Sequence, residues 1–265
     1  MILKHRVALD GAYLDVVDDR IVVKGVSTEE GKYQESTART GGRDGTRITN
    51  RQRDSLDVKV TFSIRCGKRD MAAREEVLEA VGAWAAVGGN LTLNYKPERK
   101  IYVRLASMPA NGDPWDWTAD YTITFRAYGI PYWRDVNKTV VATAVGTTGS
   151  GTIGINGSVR SAASVELTNL SGETMNTASI VVGGNTMQFA GLAMASGETL
   201  VIDRNDEGTQ VIAIEGAGGV RRSALDKRDA WSADEFWISP PGPVSFSFTA
   251  GGASRMRCYT EGRYL

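Results

Sequence analysis

The chain has 265 residues, 42% of them hydrophobic and 23% charged, with 31 Lys and Arg against 31 Asp and Glu. This composition excludes a disordered chain, and the zero balance excludes a protein that grips nucleic acid with its whole surface. One histidine, His5, and two cysteines, Cys66 and Cys258, are too few for a disulfide framework, a thiolate zinc site or a histidine relay, so no metal and no cofactor is expected.

The first residues, MILKHRVALDGAYLDVVDD, interrupt their apolar positions with Lys4, His5 and Arg6. They read as no signal peptide. No uncharged apolar run approaches the about 18 residues of a membrane span, so synthesis in the cytoplasm without membrane insertion is expected. Short β-branched runs follow, with strands expected at Leu14–Val17 and Ile21–Val23 around an Asp18-Asp19 turn.

The pattern then changes. Residues 29–54 hold almost no large apolar side chain but carry Arg39, Arg43, Arg47, Arg51 and Arg53. Gly41, Gly42 and Gly45 oppose a helix, and Gly42-Arg43-Asp44-Gly45 reads as the turn of a long projecting hairpin. This basic extension is either a solvated surface or an arm that meets a neighbouring subunit or a polyanion.

SLDVKVTFSI alternates as a half-buried strand, and residues 70–87 read as a helix capped by Asp70 and ended by Gly88-Gly89. Val77, Leu78, Val81, Trp84 and Ala85 form its apolar stripe, with Gly82 suggesting a close approach to a sheet. Strands resume at LTLNY, KIYVRLAS and YTITFRAYG, with the polar and aromatic stretch Met108–Asp120 between the last two.

After YGIPYWRDV the composition becomes rich in Gly, Thr, Ser and Val, and short strands follow one another. Two domains are expected, 1–133 and 134–265. The first is a β-sandwich with one helix and the extension, and the second an all-β, galectin-like or jelly-roll sandwich. Pro131 lacks an amide donor and ends the sheet, so Pro131, Tyr132 and Trp133 read as the interdomain joint. Near the C-terminus, a hairpin turning at Gly251-Gly252 is expected.

Motifs for chemistry are weak. Gly149–Gly154, GSGTIG, matches a dinucleotide fingerprint but joins strand to strand, with no helix terminus to meet a phosphate. There is no nucleophile elbow and no P-loop, and no catalytic residue is assigned. Trp115, Trp117, Trp231 and Trp237 are candidate sugar contacts, with Asp113 and Asp116 interleaved among the first two. They carry the alternative reading, a carbohydrate-binding protein that recognises host cell-surface polysaccharide.

The order of these features resembles the distal tail proteins of long-tailed, non-contractile phages. TGGRDGTRI resembles the family's extension turn, Asp70–Ala86 its helix, Pro131–Trp133 its closing segment, GTIGINGSVRSAASVELTN the opening of its second domain, and RCYTEGRYL its last strand. The resemblance implies a structural, non-enzymatic virion protein of the tail tip. It also implies a hexameric ring that joins the tail tube to the baseplate hub, with DNA passing through its lumen. The partners implied are further copies of the chain, the tail-tube protein, the hub or tail-associated lysin, and a receptor-binding protein.

Overall fold

A computed structural model describes residues 5–29, 32–38, 47–67, 70–109, 120–240 and 242–265. The chain is mainly antiparallel β with one long helix, and it divides into two compact units, Met1–Trp133 and Arg134–Leu265.

The first unit contains β1 (Val7–Leu9), β2 (Ala12–Tyr13), α1 (Leu14–Val17), β3 (Ile21–Thr28), β4 (Lys32–Ala38), β5 (Arg47–Ile64), α2 (Met71–Ala86), β6 (Gly89–Leu93), β7 (Lys96–Ser107) and β8 (Asp120–Ala127). The strands run in the order β2-β1-β6-β7-β8-β5-β3. β7 pairs with β6 through its first part and with β8 through its last, so one strand joins two leaves. Alternation in β5 and β8 puts Val58 opposite Phe125, Val60 opposite Ile123 and Phe62 opposite Tyr121, all buried. On the other face, Asp57 lies opposite Arg126 and accepts from its Nε at 2.5 Å and its Nη2 at 2.7 Å.

Helix α2 covers the inner face. Asp70 Oδ1 accepts from the Ala73 amide at 3.1 Å, which satisfies one of the free donors of the first turn. Val77, Leu78, Val81 and Ala85 are buried, and each large aliphatic side chain contributes about 1.5–3 kcal/mol by leaving water. Trp84 sets its ring edge-on to Phe125 at 5.9 Å, while its Nε1 donates to the Ala12 carbonyl at 2.9 Å. Gly82 makes no close approach to the sheet: a Cβ there would only touch the Met108 methyl at 3.7 Å. Leu14–Val17 is a helical turn rather than a strand. The turn buries Leu14 while directing Asp15 back to Arg6 Nε at 2.8 Å.

The second unit contains the end of β9 (Trp133–Asp135), then β10 (Thr139–Ile153), β11 (Ser161–Ala162), β12 (Ser164–Asn169), β13 (Met175–Val182), β14 (Asn185–Met194), β15 (Thr199–Arg204), β16 (Gln210–Glu215), β17 (Arg221–Ser223), β18 (Trp237–Ile238), β19 (Val244–Thr260) and β20 (Arg263–Tyr264). A short 3₁₀ turn, Leu225–Lys227, follows β17. The hydrogen-bonded order is β14-β13-β19-β12-β15-β16-β17, with β10 along β19.

The expected C-terminal hairpin is instead one continuous strand, β19. Its two halves pair with different strands on one side: Phe246–Ala250 with β13 and Ser254–Tyr259 with β12. Along the other side it follows β10, where Gly146 faces Ser254 and Thr148 faces Thr249. The surplus of β19 residues there, Gly251-Gly252 among them, makes a bulge that bends the ribbon without reversing it. Both halves keep their even-numbered residues inward, so Phe246, Phe248, Met256 and Cys258 share one core with Ile180, Leu167 and Ile214. Burial pushes the Cys258 thiol up to about 12, which leaves it inert, and both cysteines are free thiols.

GSGTIG lies within this ribbon. Gly149 is directly opposite Phe248 and Gly151 opposite Phe246. A Cβ on either glycine would come within 2.5 Å and 2.6 Å of those rings, so the glycines are recesses for aromatic side chains, not a phosphate loop.

Candidate functional site

Two stretches of the first unit combine charge, aromatic surface and unusual backbone. The first is the ribbon formed by β4 and β5. Lys32–Ala38 pairs with Arg47–Ser55, whereas β8 meets β5 only from Leu56 and β3 only from Val58. Among the described residues, then, this part of the ribbon has no strand beyond its own two. Its open edges can pair with another chain, and charged side chains control which chain that is. Arg47 and Arg51 lie on β5, with Glu35 directly opposite Arg51. Arg39 and Arg43 fall outside the described residues.

Arg53 stands at the base of the ribbon. Its guanidinium carbon is 5.2 Å from the centre of the Tyr132 ring, and Nε and Nη1 are buried without a hydrogen-bond acceptor among the described residues. The aromatic face offsets part of that desolvation.

The second stretch is Tyr128–Trp133. The Tyr132 amide donates to the Ile130 carbonyl at 2.8 Å, a tight turn around buried Pro131, and Trp133 is 7% exposed. The division between the units falls directly after Trp133. From there the chain is fastened within the second unit. Arg134, 1% exposed, donates from Nη1 to Glu261 Oε2 at 3.1 Å and from Nη2 to Asp206 Oδ1 at 2.9 Å. Asp135 accepts from the Gly262 amide at 2.8 Å and from the Tyr264 hydroxyl at 3.0 Å.

No protein-family model matches the chain, and no curated protein sequence matches it. Solved structures do. The Dit protein of SPP1, described as a paradigm of the hub adsorption apparatus in phages that infect Gram-positive bacteria, aligns with a TM-score of 0.66. The alignment covers 97% of this chain and 98% of Dit, at 14% identity. The chain has the fold of SPP1 Dit. A chain of the phage P2 baseplate in its activated conformation with calcium aligns at 0.52 and 9% identity, covering 99% of this chain and 98% of its own. The same baseplate with strontium gives 0.50 at 9% identity, covering 97% of each chain.

Within this Dit-like fold the candidate sugar contacts separate. Trp115 and Trp117 fall outside the described residues. Trp237 is half-buried on β18 and is ringed by cations: the guanidinium carbons of Arg160, Arg263 and Arg204 lie 4.7, 5.5 and 5.6 Å from its centre. Arg204 also pairs with Glu235. Arg263 is 5% exposed, and burial, reinforced by Arg204, pulls its pKa down to about 10. Trp231 is the opposite case, 95% exposed on a loop of the second unit.

Sequence reasoning missed the Arg134–Glu261 pair, because its partners are 127 residues apart and each alone resembles an ordinary surface charge. Among the described residues, no group of His, Cys, Asp or Glu could hold a metal ion, and no helix is long and apolar enough to cross a membrane.

Proposed function

We propose that this chain is a structural protein of a phage tail tip. Copies of the first unit assemble into a hexameric ring that joins the tail tube to the baseplate hub, and DNA passes through the centre. The second unit offers a surface to the hub, a tail-associated lysin or a receptor-binding protein. The chain works in the virion by assembly and performs no catalysis.

The observation that carries this reading is the likeness to SPP1 Dit over the whole length of both chains. Two units in sequence must match for that coverage, which a chance likeness of one β-sandwich would not give. The β4–β5 ribbon supports it further. A ring needs an element that reaches from one copy to the next, and the ribbon, which pairs with no third strand among the described residues, carries arginines at residues 47, 51 and 53. Zero net charge suits a lumen through which DNA slides, since a strongly basic channel would hold it.

Light scattering of the purified chain, alone and with a tail-tube protein, tests the reading. A particle mass of six chains supports it. A monomer under both conditions contradicts it.

A further inference from the structure

Among the described residues, two rows on the outer face of the second unit are paved with hydroxyl groups and hold no charged side chain, while Arg255 and Arg257 stand farther along β19. Residues directly opposite one another in register share a face. Thr148, Thr249, Ser179 and Gln188 form one row across four strands, and Ser150, Ser247, Val181 and Thr186 form the next. Thr152 and Ser245 continue the second edge of the pattern. All of these are exposed or half-buried, while the alternate residues Phe246, Phe248, Ile180 and Met187 fill the core. A shallow cleft of about 320 Å³ opens on this face, with Thr177, Ser179, Gln188, Thr249 and Gly251 in its lining. Strands stand about 4.8 Å apart, so the four-strand row is a nearly flat platform roughly 14 Å wide.

An exposed indole stands at its edge. The loop after the 3₁₀ turn closes over the free side of β14: the Asp229 amide donates to the Gln188 carbonyl at 2.9 Å, and the Ala233 amide to the Thr186 carbonyl at 2.8 Å. The Ser232 hydroxyl accepts from the Gln188 amide at 2.8 Å, and Asp229 Oδ1 accepts from the Trp231 amide at 3.0 Å. The backbone of Trp231 is thus held on both sides, yet its side chain is 95% exposed. A large apolar ring on a fixed loop loses little conformational freedom on meeting a ligand, the property of a binding anchor.

We infer that this face, with Trp231 at its rim, binds a neutral polysaccharide. The chemistry selects the occupant. Ser and Thr hydroxyls each donate and accept, as sugar hydroxyls do. With no ammonium or guanidinium in the rows, a polyanion finds no counter-charge there. The rows are polar apart from Val181, with Ala178, Phe189 and Ala250 beneath them at the cleft. Each hydroxyl pair gains little net of water, so binding depends on several sugar rings lying along the rows and one stacking on the indole.

The proposal does not rest on ring assembly and is tested apart from it. The full chain is run by affinity electrophoresis through gels containing starch, a β-glucan, a galactan or a mannan, with polygalacturonate as the anionic control. Retardation by at least one neutral polymer and none by polygalacturonate is expected. Trp231→Ala should weaken that retardation about tenfold or more. Gln188→Glu with Thr249→Glu, two exposed positions in one row, should abolish it while the circular dichroism spectrum and melting stay unchanged. No retardation by any neutral polymer overturns the proposal, as does retardation that survives both variants. Variants that instead disrupt self-association, without altering migration in the gels, would make the face a protein-docking surface and overturn it equally.

Discussion

Gly149 lies directly across the β10–β19 ribbon from Phe248, where a Cβ would sit 2.5 Å from the ring and 2.9 Å from the Ala144 methyl carbon. The absence of a side chain at residue 149 is therefore what lets Phe248 reach its buried position. Gly149→Ala should destabilise the protein by about 1–3 kcal/mol through overpacking. Phe248→Ala should cost about 3–5 kcal/mol through the cavity it leaves. Combining them should cost less than the sum, because the small ring-side residue removes the clash. Denaturant unfolding of the two single variants and the double variant measures this coupling.

Arg134 and Glu261 form a buried pair, with side chains 1% and 8% exposed. Removing Glu261 leaves Arg134 charged and desolvated on one side, with the more exposed Asp206 still facing its Nη2. Glu261→Ala should cost about 3–5 kcal/mol, and Arg134→Met with Glu261→Leu should recover much of that loss. Thermal unfolding of the parent and the two variants checks the order. Equal stability of Glu261→Ala and the parent would show that the pair is not buried in solution.

Asp18 accepts from Arg20 at its amide and at two guanidinium nitrogens, 2.9, 2.9 and 2.6 Å away, and Arg20 Nη2 also reaches Glu76 of α2. The Arg20 side-chain bonds hold the Asp18 carboxyl at about 2, below its ordinary 3.8. A depressed carboxylate stabilises the fold fully above its unfolded value. That stability fades as pH falls from about 4 through about 2. Asp18→Asn should therefore lower the melting temperature at neutral pH, and the gap to the parent should close on acidification through that window. A gap that is constant with pH would assign the loss to packing.

The basic ribbon gives an assembly prediction. Charge reversal at Arg43, Arg47 and Arg51 should weaken association between copies while the circular dichroism of each chain stays unchanged. Sedimentation velocity of parent and variant reads both species. Association that is unaltered would reduce the arginines to solvated surface.

Period and composition made much of this fold legible. The alternation of Leu56, Val58, Val60 and Phe62 marks β5, Asp70 and the stripe from Val77 to Ala85 mark α2, and the Gly-, Ser- and Thr-rich second half marks an all-β unit. The failures have local causes. Gly251-Gly252 carries the signature of a hairpin turn, and only pairing with β10, more than 100 positions away in sequence, shows that it bends one strand. Leu14–Val17 is too short for periodicity to separate a helical turn from a strand. The hydroxyl-rich face was invisible for a different reason. Thr148, Thr249, Ser179 and Gln188 come from four separate strands, and only register brings them into one row.

The central claim is that the chain builds a ring through its first unit. Electron microscopy of the full chain mixed with a tail-tube protein tests it most directly. The account predicts class averages of closed six-fold rings with an open centre, stacked on the tube ends. Bare tubes accompanied by single chains at high protein concentration would contradict it.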